Sequence, residues 1–89
     1  VLVCSPKHRL ASARRIAFRD LHGENFVGFD SELTIRREID SVLHAHAIET
    51  QVVMEFDNIE TIKRAIEIDA GVGLLPAPTV TRETQAGSL

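Results

Sequence analysis

Four histidines, one cysteine and thirteen carboxylates are the side chains here that can do chemistry, and their spacing narrows which chemistry is open. His44 and His46 stand two apart in a stretch that reads as helix. At roughly 100° per residue they point about 200° apart, whereas a helical chelate needs ligands three or four residues apart. His8 and His22 fall in loops with no matched carboxylate nearby in sequence, so no metal is expected. Cys4 beside His8 would be a nucleophile and its base, but a cysteine at a strand end is ordinarily a small buried hydrophobe. The acidic pairs fall on helix faces that should be solvated. Gly71-Val72-Gly73 ends a helix instead of opening one, which is the wrong polarity for a phosphate loop. Two helix N-termini remain. Asp30-Ser31-Glu32-Leu33-Thr34 offers free backbone N–H groups, two hydroxyls and a positive helix end, the chemistry of an anion site. Plain capping by Asp30 and Ser31 accounts for the same residues, and the charges of Asp30 and Glu32 partly fill that field. At Asp57-Asn58-Ile59, Asp57 and Glu60 read as a capping pair, with Asn58 still able to reach a ligand.

Composition sets the frame for these sites. A chain of 89 residues is one small domain or a piece of one, burying roughly 60–65% of the surface its unfolded form exposes. Apolar residues at 44% and charged residues at 26% are ordinary for a globular protein, and no apolar run approaches the ~18 residues of a membrane span. The net charge of −3 argues against a free-standing nucleic-acid binder. With no Trp or Tyr, the chain has few stacking platforms for single-stranded nucleic acid or for ring cofactors. Cys4 is the only cysteine, which fits a reducing compartment. The opening residues have neither the charged n-region nor the long h-region of a secretory leader, so a cytoplasmic location is expected. They also start inside an apolar run without Met, the pattern of a segment of a longer protein.

The elements that must position the candidate residues can be read in order. Val1–Cys4 is a short apolar run bounded by Ser5-Pro6, a buried strand entering a turn. Lys7, Arg9, Arg14, Arg15 and Arg19 follow without an acid; this reads as a solvated connecting loop, since no groove-sized helix accompanies the charges. Ile16 to Leu21 makes one helical turn, ended by Gly23. Phe26–Phe29 is a second strand, and Glu32–Ala47 a helix with the stripe Ile35, Ile39, Val42, Leu43 and Ala47. Arg36 should pair on its surface with Glu32, Glu38 or Asp40, with a carboxylate ligand as the minor alternative. Gln51–Phe56 is a third strand with one face more buried than the other. The next helix buries Ile59, Ile62, Ala65 and Ile66, while Glu60, Lys63, Arg64 and Glu67 face water in i,i+4 pairs. Asp69-Ala70-Gly71 ends it. Val72–Leu75 is a fourth strand, stopped by Pro76 and Pro78, before a short helix over Thr79–Gln85 and a further strand beginning at Ala86–Leu89. The order β-β-α-β-α-β implies an α/β fold, a mostly parallel sheet flanked by helices.

The string from Glu55-Phe56-Asp57-Asn58-Ile59-Glu60 to Arg64, followed by Gly71-Val72-Gly73-Leu74-Leu75-Pro76, resembles the effector-binding region of LysR-type transcriptional regulators. Val3-Cys4-Ser5-Pro6-Lys7-His8-Arg9-Leu10-Ala11 is similar to that family's strand-to-loop crossing, usually written with a His-Pro-Leu-Ala core. Asp20-Leu21 ahead of the Phe26–Phe29 strand also fits, and the likeness runs through essentially all 89 residues in order. Two positions depart from it. Arg9 stands where the family usually has Pro, and Asp69 where it usually has Gly. Asp adopts a left-handed conformation at some cost, so that turn should survive.

The resemblance implies one lobe of a type 2 periplasmic-binding-protein-like fold. Residues 1–89 would be the second effector-binding subdomain, a single α/β lobe with crossing strands at both ends, in a longer regulator. A small-molecule effector, often anionic in this family, would lie where strands end and helices begin. Asp30, Ser31, Leu33, Thr34 and Asn58 are the expected contacts. DNA would be bound only through a domain absent from this chain. A homo-oligomer is implied, with no cofactor, no metal, no membrane and no catalysis. The alternative is a lobe of an extracytoplasmic solute-binding protein, which shares the architecture. An α/β enzyme with a cleft between lobes lacks a nucleophile–base pair here.

Overall fold

Phe26, Val27 and Phe29 are all buried, and the strand that carries them is the spine of the fold. The computed structural model describes residues 1–13 and 16–89; the Arg14-Arg15 part of the basic loop lies outside the described residues. Strand β2 (Asn25–Phe29) pairs in parallel with β3 (Gln51–Phe56), with a register shift between Phe26 and Val27. On its other side Phe26 bridges Val72 in parallel, with Val27 N–H donating to Val72 C=O at 2.8 Å and Val72 N–H to Asn25 C=O at 2.9 Å. Val72 leads into β4 (Gly73–Leu74), which pairs antiparallel with β1 (Leu2–Val3). The spatial order is therefore β3-β2-β4-β1 with β1 alone reversed, the mostly parallel α/β sheet that the sequence implies.

Side chains alternate across a strand, so β2 feeds two cores. Val27 and Phe29 join Val3, Ile62, Ala65, Ile66, Leu75 and Val80 on one side. Phe26 joins Leu10, Leu21, Leu43 and Val72 on the other. The stripe of helix α2 (Ile59–Glu67) covers the first side, and Leu43 of helix α1 (Thr34–Ala45) reaches the second. Phe18, exposed in a 3-10 turn over Phe18–Leu21, stacks on the His46 ring at 3.7 Å and 14°.

Several expectations are corrected. Helix α1 begins at Thr34, not Glu32, because Asp30 still belongs to the sheet edge: its N–H donates to Phe56 C=O at 2.9 Å. Leu33 takes the cap position with no side-chain cap, so Asp30 and Ser31 do not cap the helix. Asn58, not Asp57, caps α2: its Oδ1 accepts Glu60 N–H at 2.8 Å and Thr61 N–H at 3.4 Å. The cap falls one residue later because Asn58 holds the extended backbone that a cap requires, φ −109° and ψ 120°. Val52, Val53 and Met54 are all exposed, so neither face of β3 is covered at these positions among the described residues. The stretch Ala86–Leu89 is not strand; Gly87 turns left-handed at φ 81° and Leu89 packs back on the core.

Lys63 is the largest departure. It is buried at 6% exposure, and its Nζ donates to Thr79 C=O, Glu83 Oε2 and Glu60 Oε2, each at 2.9 Å. The chain beyond β4 folds over it as a 3-10 turn (Ala77–Val80) and helix α3 (Thr81–Ala86), which helical periodicity within α2 does not reveal. Its partner is thus Glu60 at i,i+3 and a distant glutamate, not Glu67 at i,i+4.

The three α-helices among the described residues end in the same two-bond turn around a left-handed residue. At α1 Ala47 N–H meets His44 C=O and Ile48 N–H meets Leu43 C=O; at α2 Asp69 meets Ile66 and Ala70 meets Ala65; at α3 Gly87 meets Thr84 and Ser88 meets Glu83. Asp69 at φ 61° keeps the turn, as expected, and Ala47 does so at φ 56°. Alanine has no side-chain hydrogen bond to offset that conformation. Ala47→Gly should therefore stabilise the chain by about 1 kcal/mol, net of the extra freedom glycine has when unfolded, and raise Tm by about 4–8 °C. Gly71 is the opposite case: a Cβ there would lie 2.7 Å from Asn25 O, a backbone atom. Gly71→Ala should cost about 1–3 kcal/mol, read as a lower urea midpoint at unchanged slope.

Candidate functional site

The carboxyl ends of β2 and β3 form an open shelf, and both long helices start from it. Phe29 pairs with Phe56 at that edge, and the Asp30 N–H bond to Phe56 C=O draws the two loops together. In the first loop Asp30 closes a turn, its Oδ1 accepting Glu32 N–H at 3.3 Å and its C=O accepting Leu33 N–H at 3.0 Å. Leu33 is half-buried against the α2-side core and anchors the loop. Ser31 and Thr34 stand exposed, and neither hydroxyl has a partner among the described residues. Leu33 C=O takes Arg36 and Arg37 N–H, which leaves the N–H groups of Thr34 and Ile35 without an acceptor among the described residues. Capping does not use up this helix end. Two N–H groups, two hydroxyls and the helix dipole stay available to an anion, with the Asp30 carboxylate turned to its own loop.

The second loop contributes less. The Asn58 carbonyl is committed to its cap, while its side-chain NH₂ has no partner among the described residues. The five expected contacts, Asp30, Ser31, Leu33, Thr34 and Asn58, thus leave the same sheet edge. A depression of about 520 Å³ on the α1–β3 flank is lined by Asp40, Ser41, Leu43, His44, Ile48 and Thr50, and holds none of them.

Arg36 is a structural staple. Its Nε donates to both oxygens of Asp40 at 3.0 Å, and Nη1 to Phe29 C=O at 2.8 Å and Glu55 Oε1 at 3.0 Å. The hydrogen bond it donates to Glu55 and those to Asp40 outweigh burial and hold the guanidinium above its usual pKa. The Asp40 pairing follows from i,i+4 spacing. Glu55 comes from β3, and only strand register could have revealed it.

The other chemical groups are also accounted for. Burial, then the charge of Asp69, pushes the Cys4 thiol up, away from the thiolate a nucleophile needs. His8 has no carboxylate nearby in sequence but meets one in space: Glu24, sixteen residues on, lies 3.0 Å from Nε2. Leu10 N–H donates to His8 Nδ1 at 3.0 Å, so in the neutral ring Nε2 carries the proton that Glu24 accepts. Arg9 also donates to Glu24, which clamps the loop to the start of β2. No group of three metal-ligating side chains gathers among the described residues.

The family model described as LysR substrate binding domain matches residues 1–89. The chain belongs to this family. A probable RuBisCO transcriptional regulator of Chlorokybus atmophyticus is 32% identical over 92 residues, covering 100% of this chain and 29% of that protein. One from Synechocystis sp. is 33% identical over 91 residues, covering 99% of this chain and 26% of that protein. The chain thus spans under a third of the length of these curated relatives. Among solved structures, the regulatory domain of Synechocystis PCC6803 CcmR in complex with 2-PG superposes with a TM-score of 0.85 at 26% identity, over 91% of this chain and 39% of that one. The effector binding domain of QuiR in complex with shikimate gives a TM-score of 0.84 at 19% identity, over 93% and 40%, a likeness of fold alone. As a LysR-family unit, the chain is an α/β lobe of a type 2 periplasmic-binding-protein-like fold. None of its helices is long and apolar enough to cross a membrane among the described residues.

The Glu24 clamp is open to a pH test. Burial works against the ionised form, but hydrogen bonds from Arg9 and His8 outweigh it and hold the carboxyl below its usual range. A depressed carboxylate stabilises the fold above its ordinary pKa and loses that contribution as pH falls through the lowered value. Glu24→Gln should lower the urea midpoint at pH 7 and reduce the loss of stability between neutral and acid pH.

Proposed function

We propose that residues 1–89 are one lobe of the effector-binding domain of a longer LysR-type transcriptional regulator, and that the shelf at Asp30, Ser31, Leu33, Thr34 and Asn58 faces a small-molecule effector. The α1 N-terminus carries this reading: Thr34 and Ile35 N–H lack acceptors among the described residues, beside two unpartnered hydroxyls. Family membership and the small molecule bound by the CcmR regulatory domain support it. That the curated relatives are transcriptional regulators favours this reading over a solute-binding lobe. The task is binding, not catalysis: Cys4 is held as a thiol, and His8 is taken up by Glu24 and Leu10.

The mechanism is a shift between two arrangements of this lobe and a second one. An effector acts through its difference in affinity for the open and closed forms, and the free N–H groups of α1 exchange water for an oriented ligand acceptor when it binds. DNA is contacted by a separate domain of the regulator, which works in the cytoplasm as a homo-oligomer. A thermal-shift screen of small anionic metabolites against the intact protein, starting with 2-PG, identifies the effector. Ser31→Ala and Thr34→Ala should then each weaken it about five- to tenfold by isothermal titration, the value of one hydrogen bond at a solvated site. Unchanged affinity in both variants would remove this site.

A further inference from the structure

Helix α3 is held to the lobe in an unusual way. None of its side chains is buried, and its apolar anchors stand outside it, Val80 before its first residue and Leu89 beyond its end. Between those anchors the lobe's grip on α3 is electrostatic. Lys63, on the buried face of α2, uses all three ammonium hydrogens: one on Thr79 C=O in the preceding 3-10 turn, one on Glu83 of α3 and one on Glu60 of its own helix. The charges facing it are Glu60 from α2 and Glu83 from α3, with Arg82 acting on Glu83. Glu60 is an exposed side chain, whereas Glu83 is largely covered, so the α3 contact is the sheltered one.

We propose that the 3-10 turn and α3 form a strap that opens as a unit while the sheet and α2 stay folded, and that Lys63 is its latch. A short helix with no apolar face of its own has a lower opening free energy than the core it lies on. Its docking rests on a pair of charge-assisted bonds from one lysine, each stronger than a neutral hydrogen bond. Undocking removes Val80 and Leu89 from the core containing Val3 and Leu75. It also opens one wall of a groove of about 410 Å³ that Thr84, Gly87 and Leu89 share with Val3, Cys4 and Pro6. The strap therefore governs access to the β1 side of the lobe.

Hydrogen–deuterium exchange with peptide resolution on the intact protein tests this, comparing wild type with Lys63→Met and Glu83→Gln. Peptides over residues 81–88 should exchange roughly tenfold faster or more in both variants, with β2 and α2 amides unchanged, as expected when the charge pairing between residues 63 and 83 is removed. Glu83→Gln leaves Lys63 paired with Glu60, so it carries the test if Lys63→Met does not fold. Wild-type exchange of the strap in Glu83→Gln would overturn the proposal. So would an equal acceleration of strap and α2, which would make the lysine part of the global fold.

Discussion

Everything in this lobe depends on β2 being bonded on both edges and buried on both faces. Its parallel partner β3 fixes one edge and Val72 the other, while Phe26 and Val27 point into opposite cores. A strand so placed must be apolar at nearly every position, and any polar side chain there would lack water and a partner. Its last hydrogen bond, through Asp30, decides where the first loop begins and hence where α1 can start. The shelf of candidate contacts is a consequence of that strand ending, not a feature added to it.

How much of this was legible in the sequence follows from the range of the interactions. The order of elements as far as β4, the bounds of β3 and the inward stripe of α2 depend on local period, and they came through intact. The left-handed turn at Asp69 did too, because a Schellman ending is written in adjacent residues. Periodicity puts Lys63 on the wet side of α2, because it shows a helix's faces but not what later folds over them. Both faces of β3 are open at Val52, Val53 and Met54 for a related reason: alternation says which side chains share a face, not whether anything covers it. Glu55 on Arg36 and Glu24 on His8 likewise join residues from different elements, beyond what linear spacing can show.

At the shelf, the electrostatics sort into groups that are satisfied and groups that are not. Arg36 is a strongly charged side chain near the sheet edge, yet two carboxylates and a strand carbonyl engage it. Asn58 is half engaged by its helix. The unsatisfied groups are neutral, the backbone amides and hydroxyls of the α1 start. A site of this kind discriminates by geometry more than by charge, since oriented N–H groups reward an acceptor only at the right angle and distance.

The pairing of β1 with β4 has a consequence for how the lobe comes to be folded. Leu2 and Val3 find their partners at Leu74 and Gly73, and Leu75 N–H reaches Val1 C=O at 2.9 Å, so the sheet closes across some seventy residues of chain. Closing a loop of that size costs about 4 kcal/mol of chain entropy, before any constant for stiffness, and local contacts do nothing to repay it. During synthesis β1 must wait, unpaired and apolar, until β4 has left the ribosome. The earliest residues of this lobe to be made are among the last to find their place.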